Sequence, residues 1–64
     1  MDSREVIRLL EEAGFVWRRT KGSHQRWEHL VTKKKVTIVH PDKDIRLGTL
    51  IAYEKQSGVR LRRR

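Results

Sequence analysis

The sequence predicts an α+β domain of order α-β-β-β-α, a three-stranded antiparallel sheet with two helices packed on one face. Three observations carry this. The first fourteen residues repeat apolar positions at helical spacing and end in Gly14. Three short runs of aromatic and β-branched residues follow, divided by Gly22-Ser23 and by a lysine-rich connection. Apolar residues then return at helical spacing between Gly48 and Gly58. Two amphipathic helices and a short meander bury their apolar faces most simply by stacking as two layers.

The first helix is expected over Ser3–Ala13, with Val6, Leu9, Leu10 and Ala13 as its buried stripe. Asp2 or Ser3 caps its start, and Glu5 stands at capping-box distance from Asp2. Gly14 occupies the position where a helix ends in a left-handed residue. Strands are expected over Phe15–Thr20, His24–Val31 and Val36–Val39, and Pro41, which cannot donate to a ladder, closes the third. The second helix is expected from Gly48-Thr49 to about Ser57, capped by Thr49 and stopped by Gly58. Its inward face carries Leu50, Tyr53 and Ser57, with Ile51 partly exposed. Trp17 and Trp27 share the parity of Phe15 and are expected in the core. The last residues, 60–64, form a basic tail read as mobile and electrostatic.

The chain has 64 residues, which fits one domain spanning 1–64, of marginal intrinsic stability. It has no Cys, so neither a disulfide nor a thiolate metal site supports it. Lys and Arg total 16 against 8 Asp and Glu, a net charge of +8. A field of that sign attracts phosphate backbones and acidic proteins alike. No segment is long and apolar enough to span a bilayer, and the N-terminus reads as neither signal nor transit peptide, so the cytoplasm is expected and no membrane partner.

Residue chemistry narrows the function. Asp42 and Asp44 flank Lys43 beside Pro41, the pattern of a turn, and nothing in the spacing brings Glu28 to them. The three histidines match no zinc signature, so no metal and no cofactor is expected. His29 and His40 fall near strand ends, where a structural role is the simpler reading. His40 is retained as a second candidate because the sheet can bring it near His24. His24 begins the second strand, and with Trp27 inward, alternation places His24, Arg26 and Glu28 on the opposite, open face. An imidazole beside guanidinium groups suits RNA cleavage. A base takes the ribose 2′-hydroxyl proton, and cations steady the charge on phosphorus. Arg19, Lys21 and Arg26 are the candidate cations. The lysines at Lys33, Lys34 and Lys35 are read equally well as a solvated turn or as phosphate contacts.

Gly14-Phe15, Arg19, Gly22-Ser23-His24 and Trp27 together resemble the HicA toxins of HicA/HicB toxin–antitoxin modules. Val36 to Ile45 resembles that family's third strand and loop, and Leu47–Leu50 with Lys55–Val59 the two ends of its second helix. The resemblance runs from Ser3 to Val59 and implies a double-stranded-RNA-binding-like fold that cleaves mRNA without a metal. It places the catalytic histidine at His24, preceded by Gly22 and Ser23, and implies a HicB antitoxin that covers this face. The chain departs from the family's usual pattern at Val39, where proline is common, and at Tyr53 and Ser57, where an aliphatic residue and alanine are common. Two other readings remain open on residue chemistry: a non-catalytic RNA-binding module, and a basic domain that serves only an acidic protein partner.

Overall fold

The computed structural model describes residues 1–62. Its elements run α1 (Ser3–Glu12), β1 (Phe15–Lys21), β2 (His24–His29), β3 (Lys35–Val39) and α2 (Leu47–Ser57). The sheet is antiparallel in the order β1-β2-β3. Both helices pack on one face of it, and their residues merge with the sheet's into one core: Val6 and Leu10 from α1, Phe15, Trp27, Val36 and Ile38 from the strands, Leu50 and Tyr53 from α2. The predicted architecture is the one observed.

Helix α1 starts because Asp2 stays extended and its Oδ1 accepts the Arg4 N–H at 2.8 Å, so Asp2 is the cap and Ser3 is not. Ser3 is instead fully buried. Its Oγ accepts the Asp42 N–H at 2.9 Å and lies 2.7 Å from His40 Nδ1, which ties the start of α1 to the loop after β3. Ala13, predicted on the stripe, is exposed, because the helix has already ended at Glu12. Gly14 takes a φ of +104°, and an added Cβ there would lie 2.8 Å from His29 Nε2. That position needs glycine on both counts.

Strand β2 stops at His29, two residues short of expectation, and His29 itself is the reason. Its Nδ1 accepts the N–H groups of Val31 and Thr32 at 3.0 and 3.1 Å, curling the chain out of the sheet. Leu30 and Val31 are left exposed in the turn. With Nδ1 accepting twice, Nε2 carries the hydrogen and donates it to the Ala13 carbonyl at 2.8 Å.

Helix α2 begins at Leu47 with Arg46 as an extended N-cap that makes no side-chain bond, so Thr49 lies inside the first turn and caps nothing. Gly58 ends it with φ +74°, as predicted. Leu50, Tyr53 and Ser57 face inward and Ile51 is half-buried, also as predicted. The basic tail is corrected. Leu61 is fully buried in the core, and Glu54 accepts the backbone N–H groups of Leu61 and Arg62, each at 2.8 Å, and the Arg62 Nε–H at 2.9 Å. Arg63 and Arg64 lie outside the described residues.

Two outcomes test these contacts. The Tyr53 hydroxyl accepts the Val39 N–H at 3.1 Å. Tyr53→Phe strands that donor and is expected to cost about 1–2 kcal/mol in urea unfolding. Val39→Pro, which removes the donor, is expected to cost less when combined with Tyr53→Phe than in the native protein. The Glu54 carboxyl is held below the usual glutamate range, chiefly by the Arg62 backbone N–H, then by Leu61 and the Arg62 side chain. A lowered folded-state value means the contact stabilises above the usual glutamate range and fades as pH falls through the lowered value. The melting-temperature advantage of native protein over Glu54→Gln is therefore expected at neutral pH and absent in strong acid.

Candidate functional site

The face of the sheet away from the helices carries the candidate residues. Trp27 is 4% exposed and points into the core, so β2 turns His24, Arg26 and Glu28 outward by alternation. Strand pairing then builds rows across the sheet. Lys21, His24 and Val39 form one row, and Arg19, Arg26 and Thr37 the next.

Arg19 and Lys21 reach this face through an irregularity that alternation does not predict. Phe15 and Trp17 pair with His29 and Trp27 on the inner face, and a regular strand would put Arg19 inward too. The register shifts between Trp17 and Arg19, with Arg18 as the extra residue, and the parity of β1 is reset. Thr20 thereby joins Trp17 on the inner face and accepts its indole Nε1–H at 2.8 Å. Trp17 is nonetheless 54% exposed, so its predicted core role is corrected: it sits on an edge strand beyond the cover of the helices. Trp27 alone of the two is buried as expected, with its Nε1–H on Gln25 Oε1.

Arg19, Lys21, His24, Arg26 and Thr37 line one open depression of about 140 Å³. The two-residue turn Gly22-Ser23 holds Lys21 opposite His24, with Gly22 at φ +60° in the first turn position. The Ser23 carbonyl accepts the His40 N–H at 2.8 Å and anchors the turn to the end of β3. His24 is exposed, and its ring makes no hydrogen bond among the described residues. Among the described residues no carboxylate is hydrogen-bonded or ion-paired to it, and the charged groups that line the depression with it are Arg19, Lys21 and Arg26. Glu28, farther along the face, is engaged by Arg18 at 3.5 Å.

Other predicted residues fall elsewhere. His40 follows the residue paired with His24, yet its ring turns to Ser3 on the helix side of the sheet. Lys35 faces outward opposite Glu28, about 13 Å along the strands from the His24 row at 3.3 Å per residue. Lys33 holds φ +66° in the turn, and the Lys34 ammonium lies against Gly58 at the end of α2, where a cation meets the negative end of the helix dipole. Asp42 Oδ1 accepts the Asp44 N–H, the turn expected there. Among the described residues, no group of three or more histidines and carboxylates is gathered where an ion would bind. Thr37 was missed by sequence reasoning; its only signal is a polar residue between two buried ones in a short strand.

An exposed imidazole ringed by three cations can exchange a proton beside a bound anion. The fold and this face define a class: a double-stranded-RNA-binding-like α+β domain with a histidine set in a basic open sheet. Comparison with known proteins makes the class specific. Residues 3–59 match the family model described as the HicA toxin of bacterial toxin–antitoxin. A solved structure titled "HicA3 and HicB3 toxin-antitoxin complex" contains a chain 35% identical, with a TM-score of 0.76, covering 97% of this chain and 100% of that one. No curated protein matches. The chain belongs to the HicA toxin family. No helix among the described residues is long and apolar enough to cross a membrane.

The turn that presents His24 gives a direct test. Gly22 and Gly48 both have open space where a Cβ would stand, but only Gly22 has a positive φ. Gly22→Ala is expected to cost about 1 kcal/mol of unfolding free energy and to shift the His24 ring resonances. Gly48→Ala, inside α2, is expected to leave the ring unmoved and to gain up to about 1 kcal/mol.

Proposed function

We propose that this protein is the toxin of a toxin–antitoxin pair, an endoribonuclease that cleaves mRNA in the cytoplasm, with His24 as its general acid/base. The observation that carries the proposal is the His24 ring: exposed, without a hydrogen-bond partner among the described residues, and surrounded by Arg19, Lys21 and Arg26. A structural histidine in this fold looks different, as His29 and His40 illustrate.

The reaction is a transesterification. His24 takes the proton from a ribose 2′-hydroxyl. The 2′-oxygen bonds to the adjacent phosphorus, and the bond from phosphorus to the 5′-oxygen of the next nucleotide breaks. The leaving 5′-oxygen receives a proton from the His24 imidazolium or from water. The products are a 2′,3′-cyclic phosphate and a 5′-hydroxyl. Arg19 and Arg26 stabilise the negative charge that grows on the phosphoryl oxygens, and Lys21, Gly22 and Ser23 border the same point. The 2′-hydroxyl is a reactant, so DNA is not a substrate. Lys33 and Lys35 would hold the strand farther along the face.

The partner that restrains such an enzyme is a HicB-type antitoxin that covers the His24 face. The related chain of known structure is in complex with one. An acidic cover would use the same three cations that hold RNA.

The deciding experiment is cleavage of a long mRNA in EDTA by the purified protein, beside His24→Ala shown to be folded. Native protein is expected to cleave and the variant to be slower by about 10²-fold or more. Equal cleavage by both removes His24 from the chemistry. Salt-sensitive RNA binding without cleavage by either makes the domain a binding module.

A further inference from the structure

Thr37 is the one residue lining the depression that charge does not explain. Arg19, Lys21, His24 and Arg26 are all exposed at its rim, whereas Thr37 is half-buried and has the shortest side chain of the five. It therefore forms the floor. Its hydroxyl makes no hydrogen bond among the described residues. Buried Val36 and Ile38 flank it, so β3 holds it firmly in place.

Its position relative to His24 is set by the ladder. Arg26 pairs with Thr37 and His24 pairs with Val39, so His24 and Thr37 are diagonal neighbours across β2 and β3. Such neighbours lie roughly 7–8 Å apart at the backbone. That gap admits one tetrahedral phosphate, with an O–H···O contact of about 2.7 Å on the threonine side and the imidazole facing the attacking oxygen on the other. A long cationic side chain at position 37 would fill the space, and an apolar one would leave a phosphoryl oxygen without a donor.

We infer that the Thr37 hydroxyl is a substrate contact of this site, donating to a non-bridging oxygen of the phosphate under attack. The inference rests on the ribonuclease reading above. The three cations draw the RNA in, and Thr37, neutral and rigidly held, fixes where the phosphorus stops relative to His24. A neutral donor adds little to long-range attraction, so its effect belongs in the rate of cleavage and not in affinity.

The test compares Thr37→Val and Thr37→Ser with native protein and His24→Ala, on one mRNA-derived oligonucleotide. A 2′-deoxy substitution at the cleaved position gives the non-reacting analogue used to measure binding. Valine keeps the β-branched shape that suits a strand, so the fold is preserved while the hydroxyl is lost. Thr37→Val is expected to lower kcat by about 10- to 100-fold, at or below the low end seen for single donors to a developing oxyanion. Affinity for the analogue is expected to stay within about threefold, since the cations that attract RNA are untouched. Thr37→Ser, which keeps the hydroxyl, is expected to recover most of the rate. Native-level cleavage by Thr37→Val, with His24→Ala inactive, overturns the Thr37 assignment and leaves the ribonuclease reading standing. A Thr37→Val defect that serine does not relieve also overturns it. Full activity of His24→Ala, or no cleavage by native protein, overturns the ribonuclease reading and this inference with it.

Discussion

Trp27 sits at the middle of the central strand with only 4% of its surface exposed, and the rest of the molecule is arranged around that burial. A tryptophan is the largest apolar group the core can take, and turning it outward would forfeit several kcal/mol of transfer free energy, about 25 cal/mol for each Å² of apolar surface. Because side chains alternate in a strand, a one-residue slip of β2 would expose Trp27 and bury His24 and Arg26 together. The indole thus fixes which face is open and which residues stand on it. Gln25, which alternation also turns inward on β2, accepts the indole N–H and leaves it satisfied.

The three histidines show how the same side chain is assigned different work by its neighbours. His29 receives two backbone N–H groups on Nδ1, gives its remaining hydrogen to Ala13, and lies edge-on to Phe15 with ring centroids 5.1 Å apart. It closes the turn after β2 and fixes the entry to β1. His40 joins the start of α1 to the loop after β3 through Ser3, whose Oγ accepts the Asp42 N–H and shares a hydrogen bond of 2.7 Å with His40 Nδ1. Both rings are committed to hydrogen bonds within the fold, His29 to backbone and His40 to the Ser3 hydroxyl. His24 has no such commitment, and the turn that precedes it is held by backbone contacts that leave the ring out of the frame.

How much of this was legible in the sequence depends on whether a feature is set by local pattern or by the strand partner. The element order, the inward set of α2, the glycine stops and the outward placement of His24 and Arg26 all follow from periodicity and turn chemistry, which a single chain displays. The reset of parity at Arg18 does not, because a bulge is a relation between two strands and Arg18 differs from its neighbours in no visible way. That bulge brought Arg19 and Lys21 to the site, while the exposure of Trp17 follows from its place on an edge strand beyond the helices, which parity alone does not show. Leu61 was masked by company: one apolar residue among arginines reads as a tail until Glu54, a turn and more earlier in α2, is seen to gather the backbone around it. Thr37 was invisible because its importance lies in the diagonal across the ladder.

Two departures from the family's usual pattern become one feature in the fold. Where proline is common, Val39 brings a backbone N–H that the helix side of the sheet must satisfy. Where an aliphatic residue is common, Tyr53 brings a hydroxyl that accepts it. Ser57, in place of the common alanine, donates its own hydroxyl to the Tyr53 carbonyl one turn back and accepts the Val59 N–H. None of the three contacts reaches the open face. They rebuild the seam between β3 and α2 from polar parts, while the face is governed by Trp27 and the bulge. Separate physical controls act on the two sides of one thin sheet, so the packing seam can be rebuilt without moving the residues around His24.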